Sequence, residues 1–215
     1  MYSRLFVSEN NADDLVSHKF IFGIIFSRCR DISATVRAKS LQTLAEVTAA
    51  NNDTVNIVIK DLLSMNENEN RNEENANNNE LVTVDFAEIL QDPEANIDDI
   101  DPLPSTAVFI DFLRRRALDE SVFVRKNALS LLENILKVSY IGNESNSDIG
   151  NLIQILMEHC RDSSLMVRKQ MVGSLTELLR TYPDNETVIR HWVEGVFPLI
   201  LDVEHKAAEK VLEVQ

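Results

Sequence analysis

Apolar residues recur along this chain at the three- and four-residue spacing of amphipathic helices. Ahead of three aspartates, Asp31, Asp119 and Asp162, the places ten, nine, seven, six and two residues earlier are all apolar or small. After each aspartate a second amphipathic run begins. The pattern predicts three helix–turn–helix hairpins, and neither helix of such a hairpin buries its apolar face without a neighbour. In the first hairpin the five places hold Ile21, Phe22, Ile24, Ile25 and Cys29.

The three predicted turns share the spelling D-x-S-x-x-V-R, at 31–37, 119–125 and 162–168. We expect the serine to cap the second helix by accepting a backbone N–H of its first turn. We expect the valine to enter the core of the hairpin, together with the apolar residues that follow it. Because three segments agree at so many positions, the chain is predicted to be a repeat array.

The spacing of the motif leaves room for more helices between its first two copies. Asp119 and Asp162 are 43 residues apart, whereas Asp31 and Asp119 are 88 apart, which is close to two repeats. A helix is expected at 54–63, followed by an acidic segment at 64–103. The first 16 residues of that segment include 8 Asn and 4 Glu, so we expect it to be disordered. Either a degenerate repeat is interrupted there, or two repeats are separated by an insertion.

The last part of the chain predicts one more hairpin. Residues 186–201 read as its first helix, and a second helix is expected from Val203, where the motif decays. On the buried face of the first of these helices we expect Ile189, Trp192, Phe197 and Ile200. The expected organisation is 1–63 with the first helices, 64–103 as the acidic insert, and 104–215 as hairpins of an array that is cut off at the C-terminus.

Composition supports an all-α fold, an α-solenoid of helical hairpins with one disordered acidic Asn-rich insert. The 215 residues are 44% hydrophobic and include only 5 Gly and 5 Pro, which favours helix. The net charge of −14 is concentrated in 64–103, which carries −11, while 1–63 is neutral and 104–215 carries −3. The low isoelectric point therefore does not describe the surface of the repeats.

Few features of the sequence indicate a catalytic site or a metal-binding site. Cys29 and Cys160 each precede a motif aspartate by two residues, which is explained by packing, and two thiols make no disulfide framework. The apolar run at 20–26 is too short to span a membrane. We expect no enzyme, no cofactor, no metal and no small-molecule substrate, and a place in the cytosol or nucleus. Ligand spacing is absent from all four histidines, which are His18, His159, His191 and His205.

A hairpin of about 40 residues with Asp in its turn and Val-Arg in its second helix resembles the HEAT repeat. The resemblance implies that turn aspartates and helix arginines pair along the stack and form a ladder. A planar guanidinium held by a carboxylate is a sound basis for such pairing, although the arginines could instead bind phosphate. The ladder would consist of Asp31, Arg37, Asp119, Arg125, Asp162 and Arg168.

A second group of cations lies beside the motif. Lys39, Lys126 and Lys169 stand one or two places after the motif arginines, with no acidic partner assigned to them. Together with Arg114, Arg115 and Arg116, they could form a basic stripe that contacts a DNA backbone without reading its sequence. A solvated helix face is the commoner explanation of such a group.

The resemblance reaches further, to the D-type HEAT subunits of condensin II. It rests on Val167-Arg168-Lys169-Gln170, on 174–179, on the helix from Trp192 to Pro198, and on 202–212. It implies a non-catalytic scaffold for mitotic chromosome condensation, in the nucleus and on chromosomes, with SMC and kleisin subunits as partners and DNA as a further contact. The alternatives are a cytosolic HEAT adaptor that binds only protein, of the transport-receptor or phosphatase-scaffold type, and a shortened isoform without independent function.

Overall fold

A computed structural model of the protein describes residues 15, 18–50, 52–64, 103–139 and 147–200. Eight α-helices and no strand are found in this part of the chain, which confirms the predicted all-α class and is consistent with an α-solenoid. The expected disorder in the insert and the expected helix from Val203 fall on positions outside the described residues. The helices are α1 (18–28), α2 (Ala34–Ala49), α3 (Asp53–Ser64), α4 (Thr106–Ala117), α5 (Val122–Ser139), α6 (Ser147–Met157), α7 (Leu165–Thr181) and α8 (Glu186–Ile200).

The chain divides into two compact units, Met1–Asp111 and Phe112–Gln215. None of the helices in the described ranges is long and apolar enough to cross a membrane. In the first unit, aromatic side chains join α1 to the beginning of α4. The ring of Phe109, which is fully buried, lies 6.4 Å from that of Phe22 and 5.7 Å from that of Phe26. These distances are within the range in which tilted aromatic rings attract each other.

The two ends of the acidic insert lie next to each other in the first unit. The buried hydroxyl of Thr106, at the start of α4, donates a hydrogen bond of 2.7 Å to the carbonyl oxygen of Leu62, near the end of α3. This bond joins the helices on either side of 65–102. The helix predicted at 54–63 is confirmed as α3.

Side-chain contacts join α5 to α7 along their length in the second unit. Near the beginnings of the helices Arg125 reaches Asp162, further along Ser174 donates to Glu133 over 2.7 Å, and at the ends the hydroxyl of Tyr182 donates to the carbonyl oxygen of Lys137. Because these contacts follow one another in the same order along both helices, α5 and α7 run parallel. They form the most extensive helix pair of the described chain.

The motif valine is buried in only two of its three copies. Val124 and Val167 are fully buried, but Val36 is 36% exposed, so the expectation of a core position was wrong for the first copy. The buried valines belong to α5 and α7, the second helices of successive hairpins, which pack directly against each other. The repeated motif thus determines on which face of its helix the valine lies. Whether the valine is buried depends on the element that packs against that face.

The last helix, α8, packs through a face different from the one expected. Val188, Val196 and Leu199 are buried, and Gly195 lets the helix approach closely, because an added Cβ would lie 2.8 Å from the sulfur of Met157. Two residues expected in the core are instead exposed, Ile189 by 38% and Phe197 by 54%. The apolar face of α8 is broad, and α6 and α7 pack against the helix without covering all of that face. Trp192 is half-buried and donates a hydrogen bond of 3.1 Å to the hydroxyl of Thr176.

Candidate functional site: the repeated turns

The aspartate of each motif organises its own turn. Its Oδ1 accepts a hydrogen bond from the backbone N–H two residues later, over 2.8 Å at Ser33, 3.0 Å at Ser121 and 2.8 Å at Ser164. The expected capping by serine was wrong at Ser33 and Ser164, whose side chains make no cap hydrogen bond. A short carboxylate side chain reaches that N–H readily, which makes this an Asx turn ahead of the helix. Ser33 and Ser164 contribute their backbone N–H rather than their hydroxyl.

The arginine of each motif folds back onto the turn that precedes its helix. Its Nη1 donates to the carbonyl oxygen of the motif aspartate, over 2.9 Å from Arg37, 2.9 Å from Arg125 and 2.7 Å from Arg168. The same atom also donates to the next carbonyl oxygen along the chain, at distances between 2.8 and 3.4 Å. These carbonyl oxygens precede the helix and accept no hydrogen bond from its regular backbone pattern. The guanidinium donates hydrogen bonds to them instead and so closes the turn.

Arg125 uses the opposite edge of its guanidinium to hold the next turn. Its Nε and Nη2 donate to Oδ2 and Oδ1 of Asp162, each over 2.9 Å. The two side chains are only 12% and 8% exposed. Such a paired, charge-assisted contact is both strong and directional. One arginine therefore connects two successive turns, and it is the contact that joins the beginnings of α5 and α7.

The structure thus brings Arg125 and Asp162 together. Asp119 instead accepts a hydrogen bond of 3.2 Å from Nη1 of Arg116, which belongs to the same hairpin. Asp202, which would face Arg168 in a further turn, lies outside the described residues. The ladder along the whole array stays a prediction.

The surroundings of Asp162 favour its charged form. Burial by itself would raise the pKa of this carboxyl, but hydrogen bonds from the Arg125 guanidinium and the Ser164 N–H lower it, as do the charges of Arg125 and His159. The net result is a pKa below the ordinary value. Asp162 is therefore ionised at neutral pH, and the contact with Arg125 is an ion pair there.

His159 connects the hairpins on the other side of the same turn. The ring is 2% exposed, with Nε2 2.6 Å from the carbonyl oxygen of Ala117 and Nδ1 2.9 Å from that of Ile155. The sequence does not indicate that His159 bridges two hairpins. The residue is not spaced from other histidines or cysteines as a metal ligand would be, and the equivalent place in the other two copies of the motif holds a different residue. The nearby Cys160 has its pKa raised by burial, which makes its thiol a poor nucleophile.

The six cations of the predicted basic stripe have different surroundings. Arg114 and Arg115 are exposed on α4, but Arg116 is half-buried against Asp119. Lys39 is exposed on α2 and donates to the side-chain oxygen of Gln42 over 3.2 Å. Lys126 and Lys169 occupy equivalent, half-buried places on α5 and α7. DNA binding by this group stays a prediction. Among the described residues there is also no group of three or more His, Cys, Asp or Glu side chains able to hold a metal ion.

Comparison with known proteins finds relatives over nearly the whole chain. The chain is 32% identical over 215 residues to condensin-2 complex subunit D3-L of Xenopus laevis, an alignment that covers 93% of this chain and 14% of the relative. It is 34% identical over 226 residues to condensin-2 complex subunit D3 of Mus musculus, with 97% and 14% covered. The similarity to condensin-2 complex subunit CAP-D3 of Arabidopsis thaliana is 25% over 205 residues, with 94% and 13% covered.

These findings confirm the resemblance seen in the sequence. The chain is similar to the D3 subunits of condensin-2, and it spans about 14% of the length of the relatives it matches. No family model matches the chain. No solved structure matches it either.

Proposed function

We propose that this chain is a non-catalytic scaffold segment of a condensin II-type complex, which acts in mitotic chromosome condensation. The observation that carries the proposal is the similarity to D3 subunits over 93% and 97% of the chain, together with the helical fold. The partners we propose are SMC and kleisin subunits, and the place of action is the nucleus and the mitotic chromosome. In this role the packed helices supply surfaces for assembly.

An exposed apolar stripe on α8 supports the idea of a segment that packs against further protein. Ile189, Val193 and Phe197 follow one another at four-residue spacing and are 38%, 47% and 54% exposed. Residues with this spacing lie along one face of a helix, and a face of this kind gains stability when another helix covers it. Since the relatives are several times longer than the chain, we propose that additional helices of the array or a partner subunit cover the stripe.

Recovery of partners from mitotic extract tests the proposal. The tagged full chain is used as bait, and co-purified proteins are identified by mass spectrometry. We expect SMC and kleisin subunits, and we expect the double change Val193→Asp/Phe197→Asp to reduce their recovery. Arg190→Ala/Glu194→Ala is the matched control, because it alters two exposed polar residues of the same helix. Recovery of transport-receptor or phosphatase subunits without any condensin subunit would favour the cytosolic adaptor instead.

A further inference from the structure

A surface on the first turns of α5 and α7 combines exposed apolar side chains with lysines. Phe123 is 60% exposed and Met166 is 42% exposed, each four residues after its motif aspartate. Lys126 and Lys169 follow them three residues later, so each lies on the same helix face as the apolar side chain before it. We call these four residues the α5–α7 face.

The parallel packing of the two helices makes this face continuous. Equivalent positions on directly packed parallel helices are separated by the interaxial distance, which is about 10 Å. The contact between Arg125 and Asp162 fixes the register of α5 and α7 at this end. Phe123 and Met166 therefore occupy neighbouring equivalent positions on the two helices, as do Lys126 and Lys169.

The charges around the face are predominantly positive. Neither α5 nor α7 has an acidic residue in its first turn. Asp119 and Asp162, the aspartates of the two turns, are already paired with Arg116 and Arg125. Exposed Glu120 is the acidic group of the turn ahead of α5, and Arg161 is an exposed cation beside the turn ahead of α7. Glu133, two turns further along α5, binds Lys137 and Ser174.

We propose that the α5–α7 face binds an acidic amphipathic segment of a partner protein. The apolar side chains of that segment cover Phe123 and Met166, and its carboxylates pair with Lys126 and Lys169. A DNA backbone would use the lysines and leave the two apolar side chains in water, whereas an acidic amphipathic segment uses all four. The inference concerns the face itself and holds whichever complex the chain belongs to.

Selection of binding peptides tests the proposal. A displayed library of random 16-residue peptides is panned against the immobilised full chain, and selected peptides are synthesised for binding measurements by fluorescence anisotropy. We expect enriched sequences that carry Asp or Glu beside Leu, Ile, Phe or Trp at helical spacing. Phe123→Ser should weaken their binding about tenfold or more, as should Lys126→Glu/Lys169→Glu, because both kinds of contact are required.

Two controls make the result specific to this face. Phe197→Ser alters another Phe of similar exposure on α8, and it should leave the affinity of the selected peptides unchanged. A labelled 20-base-pair DNA duplex is measured against the same variants, and thermal unfolding confirms that each variant remains folded. The proposal is overturned if no acidic amphipathic peptide is enriched, or if such peptides bind Phe123→Ser and the parent equally. Duplex binding that responds to the lysine changes alone would assign the face to DNA and also overturn it.

Discussion

The ion pair between Arg125 and Asp162 should contribute measurably to the stability of the second unit. The perturbation is a double-mutant cycle of Arg125→Met, Asp162→Asn and the double variant. Met retains the length of the aliphatic stem, and Asn retains an oxygen that can accept the Ser164 N–H. The cycle therefore isolates the pairing of the two charged groups more cleanly than truncation to alanine would.

The magnitude follows from the geometry. Both hydrogen bonds are 2.9 Å long, and the two side chains are 12% and 8% exposed, so solvent screens the pair only slightly. Removal of one partner from a well-buried pair costs about 3 to 5 kcal/mol, and partial exposure places this pair near the lower end of that range. We expect a cost of about 3 kcal/mol for each single change and a coupling energy of about 2 kcal/mol.

Urea unfolding followed by circular dichroism at 222 nm gives the four free energies of unfolding. The matched control is the cycle on Arg180 and Glu177, an ion pair of 3.3 Å whose side chains are 49% and 41% exposed. Because solvent screens that pair strongly, its coupling should be about 0.5 kcal/mol or less. Equal coupling energies in the two cycles would refute the reasoning, since burial and paired geometry are what distinguish them.

Three further predictions concern the same unit. The pKa of Asp162 is lowered in the folded chain, so its contribution to stability is fully present above the unfolded-state pKa of about 4 and is lost as pH falls through the lower folded-state pKa. The difference in unfolding free energy between the parent and Asp162→Asn should therefore shrink on acidification. A difference that grows would contradict a lowered pKa for Asp162. His159→Ala should cost about 3 kcal/mol in urea unfolding, because it leaves a cavity and removes the partner of the buried carbonyl oxygen of Ala117. His191→Ala is the control, because the half-buried His191 ring is hydrogen-bonded to the carbonyl oxygen of Thr187 in its own helix, and it should cost under about 1 kcal/mol. Similar costs would argue against a bridging role for His159. Val124→Ala should cost about 2 kcal/mol and Val36→Ala under about 0.5 kcal/mol, since the first valine is fully buried and the second is 36% exposed.

The helices could be predicted from the sequence because their apolar spacing is local information. The repeated turn was also recognisable, and its resemblance to the HEAT repeat implied the pairing that is seen between Arg125 and Asp162, although the role expected for the serine was wrong at Ser33 and Ser164. Serine and aspartate are both favoured beside helix starts, and only coordinates show whether a hydroxyl or a carboxylate takes the backbone N–H at Ser33 and Ser164. A serine at a position that favours helix capping can therefore make no cap hydrogen bond, while a neighbouring aspartate accepts the backbone N–H.

Other contacts between hairpins could not be predicted from the sequence. The hydrogen bonds from Ser174 to Glu133 and from Trp192 to Thr176 depend on the register and rotation of one helix against another. Nothing within either helix specifies these quantities. The same limit applies to Phe197, because it lies on the broad apolar face of its helix and only tertiary packing decides which part of that face is buried.

The most direct test of the condensin assignment is the position of the protein in dividing cells. A fluorescent tag on the endogenous protein is imaged through mitosis, with and without depletion of the kleisin subunit of condensin II. The account predicts enrichment on mitotic chromosomes that is lost when the kleisin is depleted. A protein that remains in the cytosol throughout mitosis, or whose chromosome signal does not change on depletion, would contradict it.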